Sequence, residues 1–246
     1  MSGSGAATSR RRSPLWPSVW AAGAFLILLG LGTWQVERLF WKEGLIAQRH
    51  AAVTAAPIAL PQSLAAARPL EYHRVRVSGR FANDHELYLG ATSRDGRAGY
   101  QVITPLRMAD GATVLVNRGF IPQDRKPPES RSAGELSGDV TVTGLLRLPP
   151  LGKPHWFIPA NSPERNYWLY VDIPAMAAAA HVPNVLPFYV DADATPNPGG
   201  LPLGGQTLLE LPNDHLQYAI TWYALAAALV VIYIIFIRRH RREEAA

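Results

Sequence analysis

No cysteine occurs among the 246 residues, and methionine occurs three times, at Met1, Met108 and Met176. Without thiols there is no disulfide, no thiolate nucleophile and no soft-metal site, and three scattered thioethers do not make a copper(I) carrier. The common enzyme signatures are missing too: no HExxH, GxSxG, P-loop or GxGxxG stands in the chain, and the seven histidines include no i, i+4 pair. Asp191 and Asp193 lie two apart, which on a strand reads as a solvated edge more readily than as a catalytic dyad. The chain is not expected to be an enzyme, and no catalytic residue is assigned.

Formal charge is missing from two long stretches, and this is the most informative absence. Pro14–Trp34 and Leu216–Ile237 run for 21 and 22 residues without Asp, Glu, Lys or Arg. A helix rises about 1.5 Å per residue, so roughly 20 apolar residues cross a hydrocarbon core of about 30 Å. The first stretch is longer than a signal-peptide core and lacks a clear cleavage site after Trp34. The second exits into Arg238, Arg239, His240, Arg241 and Arg242, a stop-transfer pattern.

The +5 net charge sits wholly in the tails, because residues 35–215 carry 17 basic and 17 acidic side chains. Positive flanks stay in the cytoplasm, so both termini are expected there and the domain outside. The high pI thus reports topology, and no nucleic-acid partner is expected. The resulting organisation is a cytoplasmic tail (1–13), a transmembrane helix (14–34), a periplasmic domain (35–215), a second transmembrane helix (216–237) and a basic tail (238–246). The short N-terminal tail suits a bacterial inner membrane better than a mitochondrial one, with membrane lipid as a constant partner. Small residues (Ala21, Ala22, Gly23 and Gly30; Ala224, Ala226, Ala227 and Ala228) predict that the two spans pack closely, with Gly30 at the contact.

Helical character continues past Trp34, where Gln35, Arg38 and Lys42 share a face and Trp34 and Trp41 are seven apart, the pattern of an interfacial belt. Pro57 and Pro61 end the helix, and Ser63–Ala67 reads as one short turn of another. Alternation and β-branched residues predict strands at 75–77, 86–89, 100–106, 112–116 and 140–148. Asp95-Gly96, Asp110-Gly111 and Ser137-Gly138 supply turns, Asp110-Gly111 being the strongest hairpin signal. Asn117-Arg118-Gly119 then reads as a turn with a structural role. Residues 149–166 suit an ordered extended loop. Residues 167–172 read as a strand, Pro174–His181 as a short helix, and 188–191 and 206–211 as two last strands. Trp156, Phe157 and Trp168 read as core or membrane-facing side chains. The fold class is a membrane protein of α+β type, with two transmembrane helices flanking one β-rich extracytoplasmic domain.

His215 stands directly before the second apolar stretch. Tyr218, Ala219, Trp222 and Ala226 follow it down the same side of a helix. A neutral imidazole beside aromatic and small residues suits an axial ligand for a flat apolar cofactor. From these residues alone, an interfacial histidine capping the helix among ordinary belt aromatics is the more ordinary reading.

Five segments in chain order carry a resemblance. They are Leu31-Gly-Thr-Trp-Gln-Val-Glu-Arg38, Val114-Leu-Val-Asn-Arg-Gly-Phe-Ile-Pro122, Asn161-Ser-Pro-Glu-Arg-Asn-Tyr-Trp168, Gly204-Gly-Gln206 and Asn213-Asp-His-Leu-Gln-Tyr-Ala-Ile-Thr-Trp-Tyr223. As a set, spread from Gly30 to Tyr223 on a two-span layout, they resemble the surfeit-locus assembly factors of cytochrome c oxidase. The resemblance implies an assembly factor that binds or hands over haem a during maturation of the haem-copper oxidase catalytic subunit, with the haem a synthesis machinery as a further partner. It carries the family histidine onto His215 as the haem iron ligand, with Tyr218 and Trp222 beside the macrocycle. It makes Trp34, Gln35, Arg38, Asn117, Arg118 and Gly119 motif residues of interface or structural type. A scaffold that stabilises oxidase intermediates without holding haem is the other implied role.

Overall fold

The computed structural model describes residues 15–92 and 96–245. The arginine tail Arg10–Arg12, Pro14 and Asp95 of the expected Asp95-Gly96 turn lie outside the described residues. The chain divides into two compact units, Met1–Ala47 with Glu210–Ala246, and Gln48–Leu209.

The first unit is a pair of long helices, α1 (Leu15–Thr54) and α4 (His215–Ala245), both apolar and long enough to cross a membrane. At 40 residues, α1 is about twice the length a bilayer core needs. Its continuation past Trp34 carries the charged side chains that the apolar stretch excludes. The helices pack through stripes that recur every three or four residues. Ser18, Ala21, Phe25, Gly32 and Gln35 are less exposed than their neighbours on α1, and His215, Ala219, Trp222, Ala226, Leu229 and Tyr233 on α4. Tyr233 donates to Ser18 Oγ at 2.6 Å, and the Tyr223 hydroxyl meets Thr33 Oγ1 at 3.2 Å. Gly32 is the glycine at the contact, since a Cβ there would stand 2.8 Å from the Tyr223 ring. The expectation for Gly30 is corrected: a Cβ there would meet nothing within 4 Å. Two positions turn a helix by roughly 200°, so Gly30 and Gly32 cannot share a face.

Among the described residues, the second unit is built on seven strands with two short α-helices. In chain order they are β1 (Ile58–Ala59), α2 (Leu64–Ala67), β2 (Arg74–Phe81), β3 (Leu87–Thr92), β4 (Ala98–Arg107), β5 (Thr113–Pro122), β6 (Val140–Arg147), α3 (Ile173–Ala179) and β7 (Val185–Ala192). The sheet order is β1-β2-β6-β7-β5-β4-β3, and β2 also pairs with β4 through Arg80 with Arg107 and Phe81 with Leu106. The sheet therefore curls until five strands close on themselves. Val75, Val77, Leu106, Val114, Val116, Leu146, Phe188 and Val190 fill the inside. Alternation sends Leu115 and Tyr189 to the outer face, where α3 covers them with Ile173 and Met176 beside the fully buried Trp168. Helix α3 starts where Asp172 accepts from Ala175 N and Pro174 occupies the first turn.

The Asp110-Gly111 hairpin forms as expected, with Asp110 Oδ1 accepting from Ala112 N and Gly111 at φ +84°. Three expectations are corrected. Residues 206–211 are irregular. Residues 167–172 make isolated bridges in place of a strand, because Asn161 Oδ1 takes the backbone N–H of Leu169 and Tyr170. Asn117-Arg118-Gly119 is not a turn. It lies inside β5 as a bulge, where Val102 faces Gly119, Ile103 faces Asn117, and Arg118 is the extra residue.

Candidate functional site

His215 opens α4, and its ring reaches across to α1. Its Nδ1 lies 2.7 Å from Gln35 Oε1. An amide oxygen can only accept, so this contact calls for the tautomer with the proton on Nδ1, which would leave the lone pair on Nε2. Trp34 stands edge-on to the imidazole, ring centroids 6.5 Å apart at 87°. A ring hydrogen bond of this kind is what orients metal-binding histidines and fixes their tautomer. Among the described residues no group of three or more His, Cys, Asp or Glu side chains could hold a metal ion. His215 Nε2 is a single imidazole donor, the number that one axial position of an iron held in a macrocycle could take.

The residues expected around His215 separate into two environments. Ala219 and Ala226 are buried at 2% exposure each, so the small residues of this face are used in packing against α1. Trp222 is half-buried on the same stripe, while Tyr218 is more than half exposed to one side. A flat ring could approach His215 from the flank that Tyr218 borders, since the seam below is filled. Arg38 does not join this group; its guanidinium lies 4.0 Å from the Trp41 ring centroid. Two participants were not singled out by sequence reasoning: Gly32 and Thr33, which the Tyr223 side chain covers. All three belong to the segments that carry the resemblance, and a stripe count from His215 would have reached only α4.

The β5 bulge assembles a second polar centre, within the β-rich unit. Asn117 donates to Gln101 Oε1 at 2.9 Å and to Asp191 Oδ1 at 2.8 Å, while its own Oδ1 accepts from Gly119 N. Asp191 is buried and also takes Arg147 Nη1 at 2.7 Å and Thr207 Oγ1 at 2.9 Å, so it is no solvated edge. Gly119 has φ +117° and lies against the Leu203 carbonyl, and both features exclude a side chain.

Arg118, thrown out of register by the bulge, is 2% exposed. Its guanidinium donates to the Gly134 carbonyl, lies over the Phe81 ring and stands 3.6 Å from Glu86 Oε1. Glu86 is buried too and accepts from Arg131 Nη1 at 3.2 Å and from the Tyr88 hydroxyl at 3.2 Å. Burial pulls the Arg118 guanidinium below the ordinary arginine range, with Glu86 opposing. Burial lifts the Glu135 carboxyl above the usual carboxylate range, and Glu86 adds to that while Arg131, 3.7 Å away, opposes it. Two arginines face two glutamates; Glu86 is held at several points, while Glu135 Oε1 is buried without a hydrogen-bond partner, 3.7 Å from Arg131 Nη1. Through Glu86 the cluster ties β5 to the loop that carries Arg131. Glu86 and Arg131 gave no sequence signal, because their spacing of 45 residues matches no local period.

Comparison with known proteins places these features in a family. A family model described as SURF1 family matches residues 22–227. Surfeit locus protein 1 of Mus musculus is 42% identical over 224 residues, 83% of this chain and 72% of the relative. Surfeit locus protein 1 of Homo sapiens is 41% identical over 215 residues, 81% of this chain and 70% of the relative. A SURF1-like protein of Monosiga brevicollis is 41% identical over 252 residues, covering 97% of this chain and 93% of its own.

Proposed function

The chain belongs to the SURF1 family, and we propose from that premise that it is a membrane-anchored, non-catalytic assembly factor for cytochrome c oxidase that holds haem a through His215. The observation that carries the haem reading is the hydrogen bond between His215 Nδ1 and Gln35 Oε1. It joins the two helices through two residues that both belong to the resembling segments, and it leaves Nε2 as the atom able to ligate.

Haem a, when bound, would supply an apolar redox-active ring whose iron accepts a neutral imidazole. Gln35 keeps that imidazole oriented and in one tautomer. Trp34 limits its rotation, and Tyr218 borders the flank from which a ring can enter. A single protein ligand with little polar surrounding favours exchange, which suits a factor that must release its cargo to the oxidase catalytic subunit. The placement we propose is an inner membrane, with the arginine-flanked ends of both spans on one side and the β-rich domain on the other.

The test is spectroscopic. The full chain, coexpressed with a haem a supply and purified in detergent, should carry a haem spectrum. His215→Ala should insert and accumulate as wild type does yet lose that spectrum. Gln35→Leu should retain haem weakly, with a shifted spectrum, because the ring keeps its ligand atom but loses its orienting bond. A wild-type protein without chromophore that still co-purifies with the catalytic subunit would overturn the haem role and leave a scaffold. Full haem retention by His215→Ala would overturn the ligand assignment.

A further inference from the structure

We propose that the loop between β6 and α3, centred on Leu151, Trp156 and Phe157, inserts shallowly into the lipid interface of the membrane that anchors the chain. Leu151 is fully exposed, Trp156 is 88% exposed and Phe157 65%. A folded domain in water gains nothing from presenting three large apolar side chains on one loop. These side chains are held ready: the His155 ring stacks on Phe157 with centroids 5.2 Å apart, and Trp156 meets the same ring edge-on at 6.0 Å. The loop also borders an apolar groove of about 650 Å³ lined by Leu148, Pro149, Ile173, Pro174, Val182 and Pro187.

Charge and composition select lipid as the occupant. No Asp or Glu occurs from Pro149 to Pro163, while Lys153 and His155 lie among the apolar residues. An aromatic ring that is apolar with a polar edge, next to a lysine, is the composition of the headgroup region, and anionic headgroups attract the lysine. The loop backbone is irregular, so its polar groups cannot go deep into hydrocarbon, and the insertion is shallow. The inference rests on the membrane-spanning reading of α1 and α4, because tethering makes even weak insertion populated through effective concentration.

The chain has no native thiol, so Leu151→Cys in the full-length protein takes a single environment-sensitive fluorophore. Reconstituted in liposomes of phosphatidylcholine and phosphatidylglycerol, that label should emit blue-shifted light. Lipids spin-labelled near the headgroup should quench it. A label at Ala109→Cys, beside Asp110 in the exposed β4–β5 turn, gives the aqueous reference. Adding Trp156→Ser and Phe157→Ser should remove the quenching. An unquenched label with aqueous emission, in a chain that resists alkaline carbonate extraction, would overturn the proposal while leaving the spans intact. A blue-shifted but unquenched label would mean that protein covers the loop, which also overturns it. Release of the chain by carbonate would overturn the spans, and the loop assignment with them.

Discussion

In the β-rich unit, Glu86 takes two arginines out of water, whereas in the helix pair three neutral hydrogen bonds join surfaces made of glycine, alanine and aromatic rings. The difference follows from the solvent that each unit is built for. In water, the closed sheet is driven together by burying valine, leucine and phenylalanine, and can carry a buried ionic cluster so long as every charge is met. Between two helices in lipid, apolar burial supplies no such drive. Close approach at Gly32 and bonds worth roughly 0.6 kcal/mol each must hold the pair. The first arrangement is costly to break at one point, and the second yields gradually.

The largest expected effect tests the first half of that contrast. Glu86→Gln should destabilise the β-rich unit by about 3–5 kcal/mol, because two buried cations, Arg118 and Arg131, would then have only the Glu135 carboxylate nearby. Thermal unfolding followed by near-UV circular dichroism, with protease resistance as a second probe, would measure it. Asp139→Asn, at the exposed pair with Arg80, should leave the melting curve where it is. Equal effects from the two substitutions would erase the distinction between the buried and the surface ion pair.

Next comes the bulge. Gly119→Ala should cost about 1–3 kcal/mol through its positive φ, and more through the contact with Leu203. The same melting experiment reads it, and a neutral result would mean that β5 can lose its bulge without loss of register.

The helix pair should respond less. Gly32→Leu should loosen it by about 1–3 kcal/mol of overpacking against Tyr223, while Gly30→Leu, facing open space, should do nothing. Spin labels at Leu26→Cys and Ile232→Cys, both outward-facing, should report a broadened distance distribution for the first variant alone. The reverse pattern would show that the pair packs through the Gly30 face.

The smallest effect is a titration. Burial first, and the Glu86 carboxylate second, push the Tyr88 phenol from 10.0 to about 12. The folded state holds that proton more tightly than the unfolded chain does. Its contribution to stability is therefore complete below pH 10 and fades as pH rises towards 12. The phenolate absorbance of wild type minus that of Tyr88→Phe should show one late tyrosine, and a difference titrating at its ordinary value would mean that the cluster admits water.

Local order was legible in the chain because it is written at short range. Two uncharged runs of membrane length, a Gly at the Asp110-Gly111 turn and a short helix opened by Pro174 each need only a few neighbouring residues to form. The alternation of Val75, Arg76 and Val77 marked a strand before any partner strand was known. The place of His215 at the head of an apolar helix was legible too.

What required the tertiary structure is phase and partnership. A helical period says that Gly30 and Gly32 lie on different faces, but only the position of Tyr223 decides which of them is the contact. Composition made Asn117-Arg118-Gly119 turn-like, yet β4 and β7 on either side hold it extended and turn its left-handed glycine into a bulge. Glu86, Arg118 and Arg131 meet only because the sheet curls until distant strands and loops converge, and Gln35 orients His215 from 180 residues away. Periodicity along a chain fixes which side chains share a face; which face meets which is settled by packing alone, because only the folded backbone brings residues so far apart in sequence within reach of one another.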